Sequence, residues 1–227
     1  MKLIMTGVSG FIGHEALTQA ISHPDITSII ALTRKPIQIT SPKLKTIIHS
    51  DFSSYPPSVM SQLEGASACI WVIGAKTSDV EITRRTRLEY GMAAAQAFSS
   101  LPQPEGQTFK FVFVSGIVTV PDQSANIWFF SEARKIAGLA ENMVLALAQE
   151  KEKTTSLESF IIRPASVLAK DRGLLMSLRR MLPYAVGIEE LAAVLIDLAL
   201  HGSKKLIWEN KDLRVRGEEL IKGSQMR

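Results

Sequence analysis

Residues 3–13 read LIMTGVSGFIG, an apolar run that leads into a turn with glycine at positions 7, 10 and 13. The run predicts a buried strand, and the residues from Phe11 to Ser22 predict a helix. Glycines at such a junction permit a tight turn, close approach of the backbone to a pyrophosphate, and close helix–strand packing. The turn therefore predicts a dinucleotide site, with a plain glycine-rich turn as the competing interpretation. The predicted contacts are Thr6, Gly7, Ser9, Gly10, Phe11, Ile12 and Gly13.

Strand-like and helix-like segments alternate along the rest of the chain. The further predicted strands are Ser28–Leu32, Leu44–Ile48, Ala68–Ile73, Phe109–Ser115, Ser159–Ile162 and Lys205–Trp208. The further predicted helices are a short one from Pro56-Pro57, then Val80–Leu101, Ser131–Glu150, residues 174–182, Glu189–Leu200 and Lys211–Lys222. This alternation predicts an α/β fold with a doubly wound parallel sheet. We expect one domain over residues 1–227, in which about residues 164–227 form a small helical cap on the substrate side.

Composition excludes several classes of protein. The 227 residues are 46% hydrophobic and 21% charged, unlike a disordered, collagen-like or disulfide-stapled chain. A net charge of +4 is a mild excess and predicts neither a nucleic-acid nor a membrane partner. The single cysteine, Cys69, fits a reducing compartment, and no metal site is expected. The apolar run at the start is too short for a signal peptide, so we expect a cytoplasmic protein.

The Gly-x-x-Gly-x-x-Gly spacing differs from the Gly-x-Gly-x-x-Gly of the commonest dehydrogenases. With Thr6 before it, the turn resembles the short-chain dehydrogenase/reductase superfamily in its extended or atypical branch. Within that branch the chain resembles the small NAD(P)-binding proteins related to the Tat-interacting metastasis suppressor and to the nitrogen-metabolite-repression regulator. The resemblance implies a Rossmann fold. It extends through Arg34-Lys35, Asp51-Phe52, Val114-Ser115, Arg163-Pro164 and Glu209-Asn210-Lys211.

The second predicted strand ends in Thr33-Arg34-Lys35-Pro36, without an acidic residue. An acid there would bind the ribose 2′-hydroxyl of NAD, whereas Arg accommodates the 2′-phosphate of NADP. Arg34 and Lys35 therefore favour NADP(H) over NAD(H), with a solvated basic turn as the alternative. The resemblance adds Asp51 and Phe52 near the adenine and Gly74 near its ribose.

The resemblance also implies a catalytic Ser, Tyr and Lys, the last two as Tyr-x-x-x-Lys. A lysine one helical turn away lowers the tyrosine pKa and binds the nicotinamide ribose. None of the three tyrosines has a lysine four residues on. In the corresponding region Lys135 follows Ser131, and Arg134 follows Phe130, at that spacing. The candidate catalytic residues are Ser115, Ser131 and Lys135, and Lys135 is also a candidate cofactor contact.

Two further segments are candidates for the substrate side. Trp128 and Phe130 would wall an apolar pocket beside the nicotinamide or, alternatively, pack in the core. Pro164 fixes the chain direction after the sixth strand, and Arg163 would reach either a substrate anion or a core carboxylate.

Three hypotheses of function follow. The first is an NADP(H)-dependent oxidoreductase, or a redox-neutral isomerase or cyclase, that acts on a small apolar molecule. The second is a non-catalytic NADP(H)-sensing regulator that binds a protein partner, which the missing tyrosine favours. The third is a nucleotide-sugar epimerase, which the short C-terminal part disfavours.

Overall fold

The computed structural model describes residues 1–74, 77, 79–151, 157–170 and 185–225. Its strands are β1 (Lys2–Thr6), β2 (Ser28–Thr33), β3 (Leu44–Ile48), β4 (Ala68–Trp71), β5 (Phe109–Val114), β6 (Leu157–Arg163), β7 (Ser166–Leu168), β8 (Ala185–Gly187) and β9 (Ile207–Glu209). Seven of them form a parallel sheet in the order β3-β2-β1-β4-β5-β6-β9, and β7 pairs with β8. This order, which reverses direction between β1 and β4, is that of the Rossmann fold. The predicted doubly wound parallel sheet is confirmed.

The helices agree with the predicted positions in most of the chain. They are α1 (Phe11–Ser22), α2 (Pro57–Leu63), α3 (Val80–Thr83), α4 (Tyr90–Ser99), α5 (Ser131–Lys151), α6 (Ile188–His201) and α7 (Asn210–Gln225). The long helix predicted from Val80 is interrupted by a π-helical segment, Arg84–Glu89, between α3 and α4. The helix predicted over residues 174–182 lies outside the described residues.

Successive residues of the central strand β1 point to opposite faces of the sheet, and both faces are buried. Leu3 and Met5 belong to the core beneath α1 and α6, whereas Ile4 belongs to the core beneath α2, α4 and α5. Burial on both sides explains why the strands are continuous apolar runs rather than alternating ones. Because helices cover both faces of the sheet, a ligand can reach the sheet only where its strands end.

The segment predicted as a cap contributes to the main layers. Strand β9 pairs with β6 at the edge of the large sheet. Helix α6 buries Leu191, Leu195 and Leu198 in the core that it shares with α1. Among the described residues of this segment, only Pro164 to Val167 line the cleft described below.

Three sequence expectations concern the cysteine, membrane spans and metal sites. Cys69 lies in β4, is fully buried and forms no disulfide. In the described part of the chain, no helix is both long and apolar enough to cross a bilayer. No three His, Cys, Asp or Glu side chains of that part converge as ligands of a metal ion would.

Candidate active site

A cleft of about 1050 Å³ lies where β1, β4, β5 and β6 end. Open α/β sheets bind their ligands in the crevice where the strand order reverses, and here that point is between β1 and β4. The glycine turn, the end of β4, the loops after β5 and β6, and the start of α5 form the wall of this cleft. Its volume is at or above the upper end of the roughly 300–1,000 Å³ typical of small-molecule sites.

Each of the three glycines contributes to the turn in a different way. Gly7 has a positive φ of 64°, and a Cβ there would stand 2.7 Å from the carbonyl oxygen of Val72 at the end of β4. The N–H of Gly10 donates to the carbonyl of Gly7 at 2.9 Å, which closes the turn. A Cβ on Gly13 would overlap the carbonyl of Gly7, so this glycine lets α1 approach the turn closely.

The N-terminus of α1 is open toward a ligand. Gly10 is the N-cap, no side chain caps the helix, and its first turn contains no acidic residue. Phe11 and Ile12 line the cleft, so unpaired N–H groups and the positive end of the helix dipole lie at its wall. This end of α1 therefore provides the features that bind a phosphate group.

Two other predicted contacts in the turn lie away from the wall of the cleft. Thr6 is fully buried, and its hydroxyl accepts a hydrogen bond from the N–H of Val72 at 3.1 Å. Ser9 is exposed. Thr6 therefore joins β1 to β4 and supports the turn indirectly.

The predicted adenine-side residues occupy the ends of β2 and β3. Arg34 and Lys35 are exposed, and the Thr33 hydroxyl fixes their turn by donating to the Lys35 carbonyl at 2.9 Å. Asp51 is exposed, and hydrogen bonds from the Ser53 hydroxyl and backbone N–H hold its pKa below the ordinary value. None of these three residues lines the cleft, although Gly74 does.

Phe52 is placed differently from its neighbour Asp51. Its side chain is buried and packs edge-on against His49 and Trp71, with ring centroids 5.1 and 5.9 Å apart. It therefore forms part of the core beneath α2, so the structure does not bring the Phe52 side chain to the cleft.

The loop after β5 presents a pair of hydroxyl groups. Ser115 Oγ lies 3.0 Å from Thr119 Oγ1, and both residues line the cleft. The N–H of Ile117 donates to the carbonyl of Pro164 at 3.1 Å, which holds this loop against the loop after β6. Ser115 and Pro164 therefore both lie at the cleft, and their catalytic and substrate-side roles stay predictions.

The face of α5 that lines the cleft differs from the predicted one. Phe130, Ala133, Arg134 and Ala137 line it, whereas Ser131 and Lys135 do not. Successive side chains of an α-helix point about 100° apart, so a residue one position away from a cleft-lining residue faces elsewhere. Three pairs at the Tyr–Lys spacing lie on this wall, Phe129 with Ala133, Phe130 with Arg134 and Ala133 with Ala137, and none contains tyrosine or lysine.

The aromatic residues before α5 divide between cleft and solvent. Phe130, at a positive φ of 48°, lines the cleft together with Phe129. Trp128 is 93% exposed and lies outside the wall. The Nε of Arg134 donates to the carbonyl of Val118 at 2.6 Å and so ties α5 to the loop after β5.

The sequence left two possible partners for Arg163, a substrate anion or a core carboxylate, and in the structure Arg163 pairs with the core carboxylate. Its Nε donates to Glu141 Oε2 at 3.1 Å, and its Nη1 donates to Glu209 Oε1 at 2.7 Å. Glu141 is 1% exposed and neither it nor Arg163 lines the cleft, so this ion pair is internal to the fold. Asn210, next to Glu209, accepts from the N–H of Ala165 at 2.9 Å. The Glu209-Asn210 segment thus anchors the loop after β6.

Two charged residues of the wall, Arg134 and Arg87, were not among the predicted site residues. Arg87 lies on the π-helical segment and lines the cleft beside Gly74. Its spacing from the buried residues Tyr90 and Ala94, three and seven positions on, is the sequence signal that could have placed it on the inner face.

No family model matches the sequence, and no curated protein matches it. Solved structures match it in fold. MoeE5 in complex with UDP-glucose and NAD has a TM-score of 0.65 at 15% identity, over 92% of this chain and 75% of that chain. Uronate dehydrogenase from Agrobacterium tumefaciens has a TM-score of 0.65 at 15% identity, over 92% and 76%. Vestitone reductase from alfalfa has a TM-score of 0.66 at 14% identity, over 92% and 76%. At these identities the likeness establishes the Rossmann-like fold.

Proposed function

We propose that this protein binds a nicotinamide dinucleotide in the cleft and is an oxidoreductase for a small substrate with an apolar body. The observation that carries the proposal is the glycine turn, where side chains at Gly7 and Gly13 would collide with backbone. The uncapped N-terminus of α1 and the position between β1 and β4 support it, since both suit a pyrophosphate. MoeE5, a protein of the same fold, has been seen with NAD.

The bound dinucleotide would supply or accept the hydride. Reduction of a carbonyl adds that hydride to carbon and a proton to oxygen, so the protein must hold the oxygen and deliver the proton. Ser115 Oγ can donate to the substrate oxygen while it accepts from the Thr119 hydroxyl, and water can then reprotonate Thr119. This relay would stand in for the absent tyrosine.

Replacing Ser115 with alanine tests that relay. We expect a fall in kcat of about 100-fold, the lower end of what general acid catalysis contributes, with the dinucleotide Kd unchanged. Oxidation of NADPH is followed with a panel of apolar aldehydes and ketones, and Ser124→Ala, outside the cleft, is the control. Turnover of Ser115→Ala at the wild-type rate would contradict the proposed role.

The preference for NADP(H) over NAD(H) is part of the proposal, because the end of β2 offers Arg34 and Lys35 and no acid. We expect Arg34→Ala to weaken NADPH binding by roughly 10- to 150-fold, the equivalent of a hydrogen bond to a charged group of about 1.5–3 kcal/mol. NADH lacks the 2′-phosphate, so its Kd should not change and serves as the internal control. Calorimetric titration measures the Kd values of NADPH and NADH. If Arg34→Ala weakened the binding of both dinucleotides equally, Arg34 would not contact the 2′-phosphate.

One observation favours a second function, a non-catalytic NADP(H)-sensing protein with a protein partner. No tyrosine or lysine is among the described residues of the cleft wall. A protein that binds NADPH but turns over no member of the carbonyl panel would support this alternative. Partner capture should then change when NADPH replaces NADP⁺.

A further inference from the structure

Arg87 enters the cleft from a distorted part of its helix. The π-helical segment Arg84–Glu89 inserts an extra residue per turn, a feature that occurs often at functional sites. The guanidinium of Arg87 lies beside Gly74, where a Cβ would stand 3.4 Å from Arg87 Cζ, an ordinary contact distance. Gly74 and this guanidinium are therefore neighbours at the wall of the cleft.

The donors of this guanidinium have no acceptor in the described part of the chain, where Arg87 forms neither a hydrogen bond nor an ion pair. Burial lowers the pKa of Arg87, against the opposing effect of Glu141. Glu141 is already engaged by Arg163, which donates to both of its oxygens. Arg87 is partly buried and lines the cleft, so an anion bound in the cleft would supply the acceptor that its donors lack.

Part of the cleft wall is apolar. Ile117, Val118, Phe129, Phe130 and Val167 line the cleft, and the first four are exposed enough to meet a ligand. A ligand that spans Arg87 and this apolar wall would have an apolar body with a negative charge at one end.

We propose that Arg87 binds a carboxylate of the substrate, an inference that rests on the proposed function. A single guanidinium with five donors in a planar fork matches a carboxylate through two parallel hydrogen bonds. The pyrophosphate of a dinucleotide has its own site at the glycine turn and α1. The substrate class is therefore a small apolar carboxylic acid that carries the reacting group at another position.

Binding of phenylacetate, compared with its neutral analogue phenylacetamide, tests the proposal. Both are titrated calorimetrically into the protein with and without saturating NADPH. We expect wild type to bind phenylacetate at least about 10-fold more tightly than phenylacetamide. Arg87→Ala and Arg87→Gln should lose this difference, while Arg87→Lys should retain part of it. Arg84→Ala removes the same charge from the same segment outside the cleft wall, and it should bind as wild type does.

Two results would overturn the proposal: equal affinity of wild type for the acid and the amide, or a preference for the acid that survives in both Arg87→Ala and Arg87→Gln. Arg87 variants that weaken NADPH binding but leave phenylacetate binding intact would also overturn it, because Arg87 would then serve the dinucleotide. The titration without NADPH separates the two claims. A preference for phenylacetate that depends on Arg87, in a protein that binds no dinucleotide, would refute the proposed function and leave the carboxylate site standing.

Discussion

Gly7→Ala is expected to weaken dinucleotide binding by about 100-fold or more. The substitution places a Cβ 2.7 Å from the carbonyl oxygen of Val72, so the turn must move away from β4. That movement takes the N–H groups of the turn out of register with the start of α1, where the pyrophosphate would bind. Titration of NADPH into the folded variant, followed by calorimetry or nicotinamide fluorescence, measures the loss.

Gly65→Ala is the matched control for this experiment. Gly65 also has a positive φ, of 75°, but a Cβ there meets nothing within 4 Å. Both variants should lose about 1–2 kcal/mol of stability from the left-handed backbone, and only Gly7→Ala should lose binding as well. Normal NADPH affinity in Gly7→Ala would show that the turn is not the phosphate site.

Glu141→Ala should produce the largest loss of stability. It removes the buried partner of Arg163 and leaves that guanidinium with Glu209 alone. Breaking a buried ion pair from one side typically costs about 3–5 kcal/mol in the free energy of unfolding. Urea denaturation, with the unfolding free energy extrapolated to water, measures the effect.

Glu218→Ala removes an exposed partner of Lys222, 3.6 Å away, and controls for the loss of one carboxylate. Its expected cost is below about 1 kcal/mol. The double variant Glu141→Leu with Arg163→Met should be more stable than Glu141→Ala, since it leaves neither charge uncompensated. If Glu141→Ala were no less stable than Glu218→Ala, the buried pair would not contribute as argued here.

The sheet could be predicted because its determinants are local. Ser28 to Leu32 is apolar throughout the buried part of β2, and Phe11 to Ser22 has the period and the terminating His23-Pro24 of a helix. The Rossmann fold was expected from the family resemblance that the glycine turn carries, whereas local residue patterns do not determine the order of the strands. The pair of β7 and β8 could not be predicted, because three residues are too few to show a period.

The site was predicted in part, and the omissions have physical causes. Gly7, Ser115 and Pro164 lie at or shortly after the ends of predicted strands, and parallel strands bring such positions to one end of the sheet. Lys135 was assigned to the cleft from the Tyr-x-x-x-Lys pattern that the resemblance implies, but the rotation of α5 that brings Arg134 there depends on tertiary packing. The spacing of Arg87 from Tyr90 and Ala94 indicates the inner face, but the π-helical distortion on which Arg87 lies is not visible in the sequence.

Arg163 illustrates a choice that only packing could decide. The sequence allowed it to meet a substrate anion or a core carboxylate, and its partners Glu141 and Glu209 lie 22 and 46 residues away in the chain. The only cation of the wall without a described partner is instead Arg87, which is why the proposed carboxylate site is assigned to it.

The most direct test of the central claim is a calorimetric titration of the unmodified protein with NADPH and, separately, with NADH. If the cleft between β1 and β4 is a dinucleotide site, both titrations should show one site per chain, with NADPH binding more tightly than NADH. Absence of binding by both dinucleotides would contradict the claim.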